Sequence, residues 1–419
     1  MKTDLNCEPQ REAKTVLVHA GSTVRAEIDP RTRKPRPGSA CRLEVRRSER
    51  GSFTEFHLTG TVEGAAHAGE AAAELFAEVA ATLERFKIQP IQEKLYGLTP
   101  ARAAVLPQRE LAYRHHHLDP ELPVTWIQGT PLQGCAFVGL QIWGISPHDG
   151  SMRVTTVENE FTGRGRLWSG TGFRILHLPF VRGLAPDGTL PEGAAEQAQL
   201  MFANTGRALK AHGMGYRNVV RTWIYLARLL AWYGDFNRVR TAHYQPAGLG
   251  VAGGPAFPAS TGIQCRYEDE DCMMDVLALE SDGPACPVAH PIRRSPRQDQ
   301  SFNYGSAFSR GTAIEMEGRR TVHISGTASI NTAGESTHVG DAEMQSVETL
   351  LSISAILKEQ GGGLQNITSA TLFCKNREAW EAWERVTRLL GVPALPKICV
   401  LADVCRDDLL VEMEAVAVI

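Results

Sequence analysis

The stretch TVHISGTASINTAGESTHVGDAEMQSVETLLSISAILKEQGGGLQNITSATLFC, residues 321–374, contains each kind of element that this chain repeats. It begins with a short apolar strand and a turn, and it continues as a helix with apolar residues at positions i, i+3, i+4 and i+7. Glycines end the helix, and a strand rich in β-branched residues follows. A helix between two such strands is typical of an α+β unit.

The same order of elements occurs earlier, in FRILHLPFVRGLAPDGTLPEGAAEQAQLMFANTGRALKAHGMGYRNVVRTWIYL, which begins at Phe173. The two stretches align without a gap, so that Tyr225 falls on Phe373. In each copy a second helix and a proline-marked loop lead to a closing pair of strands. The sequence therefore predicts an α+β fold of two tandem units, with mixed sheets and helices packed on one face.

A third, shorter match lies between residues 53 and 97, where HLTGTV from His57 resembles HISGTA from His323 and predicts part of a third copy. The segment SDGPACPVAHPIRRSPRQDQ, rich in proline and charge, separates the two main copies. The predicted organisation is an N-terminal extension at 1–52, a first unit at 53–285 that includes the partial copy, a linker at 286–302 and a second unit at 303–419.

The composition excludes several classes of function. The chain of 419 residues is 43% hydrophobic and 22% charged, as in ordinary globular proteins. Its formal net charge of −3 gives no attraction to nucleic acid or to an anionic membrane. No apolar run approaches the roughly 20 residues of a membrane-spanning helix. We therefore expect neither a nucleic-acid partner nor a membrane partner.

The cysteines and histidines indicate a compartment and argue against a metal. Nine cysteines, an odd number spread along the chain, do not form a disulfide framework, and the polar N-terminus is not a secretory signal. We therefore expect a cytoplasmic protein with reduced thiols. Cys265, Cys272 and the three histidines at 115–117 lack the paired spacing of zinc ligands, so the sequence predicts no metal site.

Glu335 stands in the middle of the turn Asn-Thr-Ala-Gly-Glu-Ser-Thr-His. Such an acid is either a solvated loop residue or a carboxyl group held over a pocket. The first copy has Asp187 at the aligned place and lacks the Ser325-Gly326 pair. Only the second copy combines Glu335 with the small Ala328 and with Gly326, a glycine that lets the backbone approach a ligand closely. This asymmetry places the chemistry in the second copy.

The C-terminal end resembles the RidA/YjgF superfamily, in which a Pro-Ala-Arg-x-Cys motif precedes the last strands and the chain ends in Val-Glu-Ile-Glu-Ala-Ile-Ala. Here the ending is VEMEAVAVI, with Cys399 at the position of the cysteine. Lys397 stands where the superfamily has a carboxylate-binding arginine, and Ser260 replaces that arginine in the first copy. These departures argue against the imine hydrolysis that is usual in the superfamily.

Over nearly its whole length the chain is similar to a more specific group of the superfamily, the chorismatases. The stretches that carry this resemblance are QGTPLQGCAFVGLQIWGI, RTWIYLARLLAWYGDFNRVR, PAFPASTGI, FNYGSAFSR, HISGTASI with GESTHVGD, and ADVCRDDLLVEMEAV. Chorismatases cleave the enolpyruvyl ether of chorismate without a metal or cofactor, releasing pyruvate and a cyclic acid. The resemblance therefore implies chorismate as the partner and no cofactor.

The resemblance also implies roles for individual residues. Glu335 matches a glutamate that follows the Ser-Gly-x-x-Ser-Ile strand and is the proposed general acid of the family. Cleavage needs a proton on the enolpyruvyl methylene, which a carboxylic acid protonated near neutral pH can deliver. Chorismate is a dianion, and arginine binds carboxylates with bidentate geometry. The predicted substrate-binding residues are Arg310, Arg221, Tyr225, Arg174, Gly326, Ala328, Lys397, Cys399 and Arg406.

The sequence leaves some of these roles and the product open. Arg221, in the apolar strand VVRTWIYL, suits either a substrate or a buried ion pair; Arg406 also suits a local salt bridge, and Tyr225 the core. We expect 3-hydroxybenzoate, with 4-hydroxybenzoate as a second product of the bifunctional subtype. The alternatives are a hydrolytic chorismatase that gives a dihydroxycyclohexadiene carboxylate, a RidA-type imine deaminase and a non-catalytic carboxylate-binding protein. The chain is expected to be a monomer or a homotrimer.

Overall fold

The computed structural model describes residues 40–65, 67–251, 253–283 and 286–419. Residues 1–39, which make up most of the predicted N-terminal extension, lie outside the described residues. In the described part of the chain the strands form three mixed sheets, and two helices belong to each sheet. The predicted α+β class, with repeated units and helices packed on one face, is confirmed.

Each sheet is built from consecutive elements. The first unit contains β1 (Cys41–Glu49), β2 (Phe53–Val62), α1 (Ala68–Arg85), β3 (Gln89–Gly97), α2 (Arg102–His115), β4 (Thr125–Gln128) and β5 (Phe137–Pro147). The second unit contains β6 (Arg153–Asn159), β7 (Gly163–Gly170), β8 (Phe173–Arg182), α3 (Ala194–Ala211), β9 (Val219–Leu226), α4 (Leu229–Tyr244), β10 (Ala259–Gln264) and β11 (Cys272–Ser281). The third unit contains β12 (Val288–Ile292), β13 (Gly311–Met316), β14 (Arg319–Ala328), α5 (Ala342–Glu359), β15 (Ile367–Cys374), α6 (Arg377–Leu389), β16 (Lys397–Leu401) and β17 (Val411–Val418).

The three sheets share one strand order. The order β1-β2-β5-β3-β4 of the first sheet recurs as β7-β8-β11-β9-β10 and as β13-β14-β17-β15-β16. The stretch 53–97, predicted as a fragment of a copy, therefore belongs to a complete unit, because β1 pairs with β2 and because β4 and β5 close the sheet. Val288–Ile292, predicted as linker, forms β12 on the edge of β13. The described chain thus has three α+β units.

Helix α5 shows how the sequence sets these elements. The Asp341 side chain accepts a hydrogen bond from the Met344 amide at 2.9 Å and caps the first turn. Gly361, with φ of 88°, follows the last turn in the left-handed region, where glycine has no steric penalty. The buried face of the helix includes Ile353 and Leu357 and packs on β14 and β17.

The sheet faces away from the helices meet in one shared core. It contains Tyr96 and Trp143 of the first unit, Trp223 of the second and Phe373 of the third. β10 packs on β14, β16 packs on β5, and β3 packs on β7 and β8, so each unit contacts the other two in a ring. None of the described helices is both long and apolar enough to cross a membrane.

Candidate active site

A cavity lies between the second and third units, where β10 packs on β14. The space between the lining residues, counted together with the solvent at its mouth, is about 540 Å³. Its charged and phenolic lining residues are Tyr233 and Arg240 of the second unit and Tyr304, Arg310, Arg406 and Glu412 of the third. Three cations and one carboxyl group around a single cavity suit an anionic ligand.

Glu412 lies on β17 with 4% of its surface exposed. Burial raises the pKa of its carboxyl group to about 8; the negative charge of Glu414 adds to this shift, and the guanidinium of Arg221 opposes it. The carboxyl group is therefore mostly protonated at neutral pH. A neutral carboxylic acid that lines a cavity can donate a proton to a ligand.

Arg240 and Arg406 have N–H donors that are unpaired or only weakly hydrogen-bonded. Arg240, on α4, is 1% exposed; its Nη2 donates a hydrogen bond to Asn237 Oδ1, while its buried Nε has no partner among the described residues. Arg406 donates from Nη1 to Ser336 Oγ at 3.3 Å and lies over the ring of Tyr304. A buried N–H without an acceptor is unfavourable, so a ligand or water that accepts from Arg240 would be stabilising.

Arg310 is held in place by its neighbours. Its Nε and Nη2 donate to the Asp299 carbonyl oxygen at 3.0 and 2.8 Å, and Nη2 also donates to the Tyr304 hydroxyl. The guanidinium lies 5.5 Å from the ring centroids of Tyr304 and Phe308. Burial lowers the pKa of Arg310, because the cation is poorly solvated, and an anionic partner would offset that cost.

Gly326 forms the floor of the cavity beside Glu412. A Cβ atom added at residue 326 would lie 2.0 Å from Glu412 Oε1, so a larger residue would displace the carboxyl group. The register of β14 against β17 shifts between Ile324 and Thr327, which places Gly326 in a β-bulge. Bulges of this kind re-aim side chains next to active sites.

Glu335 lies on the turn after β14, and its side chain is exposed. Its Oε2 accepts a hydrogen bond from Asn331 Nδ2 at 3.1 Å. The turn borders the cavity, since Gly334 packs against the ring of Tyr304, but Glu335 does not line it. Because the carboxyl group is in contact with water, the catalytic role predicted for Glu335 stays a prediction that this geometry does not favour.

Arg221 lies in a second cavity, which residues of all three units border. Its Nη2 donates to Glu414 Oε2 at 2.7 Å, and Lys94 Nζ of the first unit lies 4.0 Å from Glu414 Oε1. His57 and His323 border the same cavity, and burial lowers their pKa values to about 4 and about 3, so both are neutral. Of the two interpretations that the sequence leaves open for Arg221, the structure provides the partner for a buried ion pair.

The other predicted binding residues divide into two groups. Those that line the cavity between the second and third units are Arg310, Gly326, Ala328 and Arg406. Those that do not are Tyr225, Arg174, Lys397 and Cys399. Arg174 Nε donates to Glu280 at 2.6 Å and Lys397 pairs with Glu384 at 3.2 Å, so both cations already have acidic partners. No group of three or more His, Cys, Asp or Glu side chains within the described ranges could hold a metal ion.

Two sequence comparisons relate this chain to known proteins. A family model described as Endoribonuclease L-PSP matches residues 305–419, which is the third unit. A 3-hydroxybenzoate synthase from Streptomyces hygroscopicus is 27% identical over 229 residues, which cover 48% of this chain and 64% of that protein. The match thus spans slightly less than two thirds of that relative.

A crystal structure of a chorismatase has the same fold, with a TM-score of 0.55 at 17% identity over 78% of this chain and 92% of that one. The third unit thus matches a known family model, and the chain is similar in sequence to a 3-hydroxybenzoate synthase and in fold to a chorismatase. The resemblance drawn from the sequence is confirmed at this level.

Among the described residues, only one of the three inter-unit contacts has an acid at the position of Glu412. Glu412 stands opposite Phe373 in the third sheet. The corresponding residues are Met273 in β11 and Gly139 in β5, neither of which can donate a proton. Within the described part of the chain, an acid at this position of the repeat therefore occurs only in the cavity between the second and third units.

The sequence reasoning missed Glu412, Arg240 and Tyr304. A signal for Glu412 was present, because VEMEAVAV places a carboxyl group in an apolar strand, the same anomaly that singled out Arg221. Arg240 lies in the helical stretch FNRVR, and Tyr304 lies in FNYGSAFSR. Both stretches carry the family resemblance, but neither pattern shows that these two side chains meet, since their proximity arises from the packing of two separate units.

Proposed function

We propose that this protein is a chorismatase that cleaves the enolpyruvyl ether of chorismate to pyruvate and 3-hydroxybenzoate. The observation that carries the proposal is a buried, neutral acid, Glu412, in one cavity with three arginines. The similarity to a 3-hydroxybenzoate synthase and the fold shared with a chorismatase support it. We include in the proposal a cytoplasmic reaction that needs no cofactor.

Glu412 takes the role that the sequence assigns to Glu335. Its carboxyl group, with a pKa of about 8, carries a proton at neutral pH and delivers it to the enolpyruvyl methylene carbon. The new C–H bond leaves an oxocarbenium ion on the adjacent carbon and a carboxylate on Glu412. The carboxylate then stabilises the cation across the cavity, because opposite charges attract strongly in a poorly solvated site.

The arginines hold the two substrate carboxylates. The guanidinium carbons of Arg310 and Arg406 of the third unit lie 5.5 and 5.6 Å from the ring centroid of Tyr304, and Arg240 belongs to the second unit. The unpartnered Nε of Arg240 gives it a donor for a bidentate contact. With both carboxylates held, the methylene faces the acid in a fixed orientation, which contributes to the rate.

The product depends on what attacks the oxocarbenium ion. Attack by the ring hydroxyl, followed by loss of pyruvate and aromatisation, gives a hydroxybenzoate with no net uptake of water. Attack by water gives pyruvate and a dihydroxycyclohexadiene carboxylate. Ala328 and Ile330, 3% and 6% exposed, form an apolar wall of the cavity that limits water. We therefore assign 3-hydroxybenzoate as the main product, with 4-hydroxybenzoate as a second one.

The second and third units supply every residue of this proposed site, so a single chain is sufficient and we propose a functional monomer. The test is to incubate the purified protein with chorismate and to separate 3-hydroxybenzoate, 4-hydroxybenzoate and the diene acid by chromatography, with pyruvate measured in parallel. We expect pyruvate and hydroxybenzoate in equal amounts. If neither pyruvate nor a cyclic acid forms, the proposal fails, and turnover of 2-aminoacrylate instead would indicate an imine deaminase.

A further inference from the structure

The β-bulge in β14 has a partner in another unit. Because the register shifts between Ile324 and Thr327, the Gly326 amide does not take part in the ladder with β17. It donates a hydrogen bond to Thr261 Oγ1 at 3.0 Å. Thr261 lies on β10 of the second unit and is 3% exposed, so this is a buried bond across the contact between the two units.

Thr261 is itself held in place by a second hydrogen bond. Its Oγ1 also accepts a hydrogen bond from Arg221 Nη2, and the same nitrogen donates to Glu414 on β17. Lys94 of the first unit, 4.0 Å from Glu414, lies over the ring of Trp223. All three units thus contribute to a buried polar cluster that ends at the Gly326 amide.

Gly326 in turn fixes the Glu412 carboxyl group. A Cβ atom added at Gly326 would lie 2.0 Å from Glu412 Oε1 and 3.1 Å from the Thr261 methyl group. The Glu412 oxygen therefore packs closely against the glycine backbone. A displacement of the bulge would therefore move the carboxyl group or open space for water beside it.

We propose that Thr261 is a positioning residue that, through its hydrogen bond to the Gly326 amide, holds the bulge and hence the Glu412 carboxyl group in the orientation needed for proton transfer. The inference rests on the proposed function. Thr261 does not line the cavity, so it acts through Gly326 and not on the substrate.

The charged and titratable groups around Glu412 determine how a substitution at Thr261 would affect the pH profile. The charged and titratable neighbours of Glu412 lie in the cavity or in the buried polar cluster behind it. They are Glu414 on β17, Arg221 on β9, Tyr233 and Arg240 on α4, and Tyr304, Arg310, Cys405 and Arg406 of the third unit. None of them is removed by a substitution at Thr261, although Thr261→Val also takes away an acceptor of Arg221 Nη2, which keeps its bond to Glu414. A changed pH profile would then reflect the surroundings of the carboxyl group itself.

The experiment compares Thr261→Val, Thr261→Ser and Thr312→Val. Valine keeps the shape of threonine but cannot accept from the Gly326 amide, whereas serine keeps the hydroxyl. Thr312 is the matched control, because its buried hydroxyl also crosses this contact, donating to the Val220 carbonyl oxygen at 3.0 Å, without touching Gly326. Each variant is first checked for folding by its melting temperature.

For Thr261→Val we expect kcat for chorismate to fall by roughly 10- to 100-fold, the scale of a misplaced catalytic group, with KM close to that of the wild type. We also expect the alkaline limb of the pH profile to move to lower pH, because water reaches the carboxyl group. Thr261→Ser should restore both, and Thr312→Val should change neither. If Thr261→Val keeps the wild-type kcat and pH profile, or if Thr312→Val has the same effect, the inference is overturned. A wild-type protein that does not turn over chorismate would instead refute the proposed function.

Discussion

Glu412 and Glu414 lie two residues apart on β17 and face the same side of the sheet, yet Glu414 pairs with Arg221 at 2.7 Å while Glu412 faces the cavity. The ion pair keeps a negative charge on Glu414 and engages the guanidinium of Arg221. That negative charge adds to burial in raising the pKa of Glu412. The neutral acid of the proposed site is therefore maintained partly by an ionised neighbour.

The first prediction separates the two candidate acids. Glu412→Gln should lower kcat for chorismate by at least about 100-fold, because the amide keeps the size of the side chain but has no acidic proton. Glu335→Gln is the matched control and should keep near wild-type turnover, since its carboxyl group is exposed and does not line the cavity. Steady-state release of pyruvate measures both. The reverse result would return the catalytic role to Glu335.

The second prediction concerns the pH dependence of kcat. Glu412 must be protonated to act as the acid, so activity should hold through neutral pH and fall as the pH rises through about 8. The measurement is kcat with saturating chorismate over a range of pH. An activity that already declines steadily from about pH 5 upward, near the ordinary pKa of a glutamate, would contradict a raised pKa for the acid.

The third prediction follows from the same pKa in the free energy of unfolding. The folded state holds a proton on Glu412 up to a pKa of about 8, whereas the unfolded chain releases it near the ordinary glutamate pKa of 4.5. The folded state thus binds more protons between these values, and the contribution of Glu412 to stability falls as the pH rises through this window. Glu412→Gln should therefore stabilise the protein by about 0.5–2 kcal/mol at the upper end and less at the lower end. Denaturant unfolding at both pH values measures this, and an equal effect at both would contradict it.

The fold could be predicted from the sequence because its signals are local. An acidic cap, an apolar stripe and a terminal glycine indicate helix α5, and each of these signals depends only on residues close together in the sequence. The first unit was harder to recognise, since β1 and β5 lie outside the stretch 53–97 whose pattern matches the other copies. Its complete sheet emerges only when strands distant in sequence pair.

The site could be predicted only in part, because it lies between units. Arg310, Gly326 and Arg406, which were predicted from stretches that carry the family resemblance, line the cavity. Glu335 was predicted as the acid because it matches the general acid of the family, and Arg221 was left open between a substrate and an ion pair. A sequence pattern does not say which cavity a side chain faces. Burial, which separates an acid with a raised pKa from a hydrated one, depends on packing between units.

The fourth prediction tests the arginine supplied by the second unit. Arg240→Lys keeps the charge but removes the forked donor set, so kcat/KM for chorismate should fall roughly 10- to 100-fold, the value of a charged hydrogen bond of about 1.5–3 kcal/mol. Arg174→Lys is the control, because Arg174 is paired with Glu280 and does not line the cavity. Initial rates at low chorismate measure both. Equal losses in the two variants would mean that Arg240 has no special role in binding.

The fifth prediction concerns the ion pair behind the site. Arg221→Met leaves the buried Glu414 carboxylate with Lys94 at 4.0 Å as its remaining cation, so the free energy of unfolding should fall by about 3–5 kcal/mol. The double variant Arg221→Met, Glu414→Leu removes the uncompensated charge and should recover most of that loss. Denaturant unfolding of both variants at one pH measures the difference. A double variant as unstable as the single one would show that Arg221 stabilises the packing of the three units through its contact with the Trp223 side chain and not through Glu414.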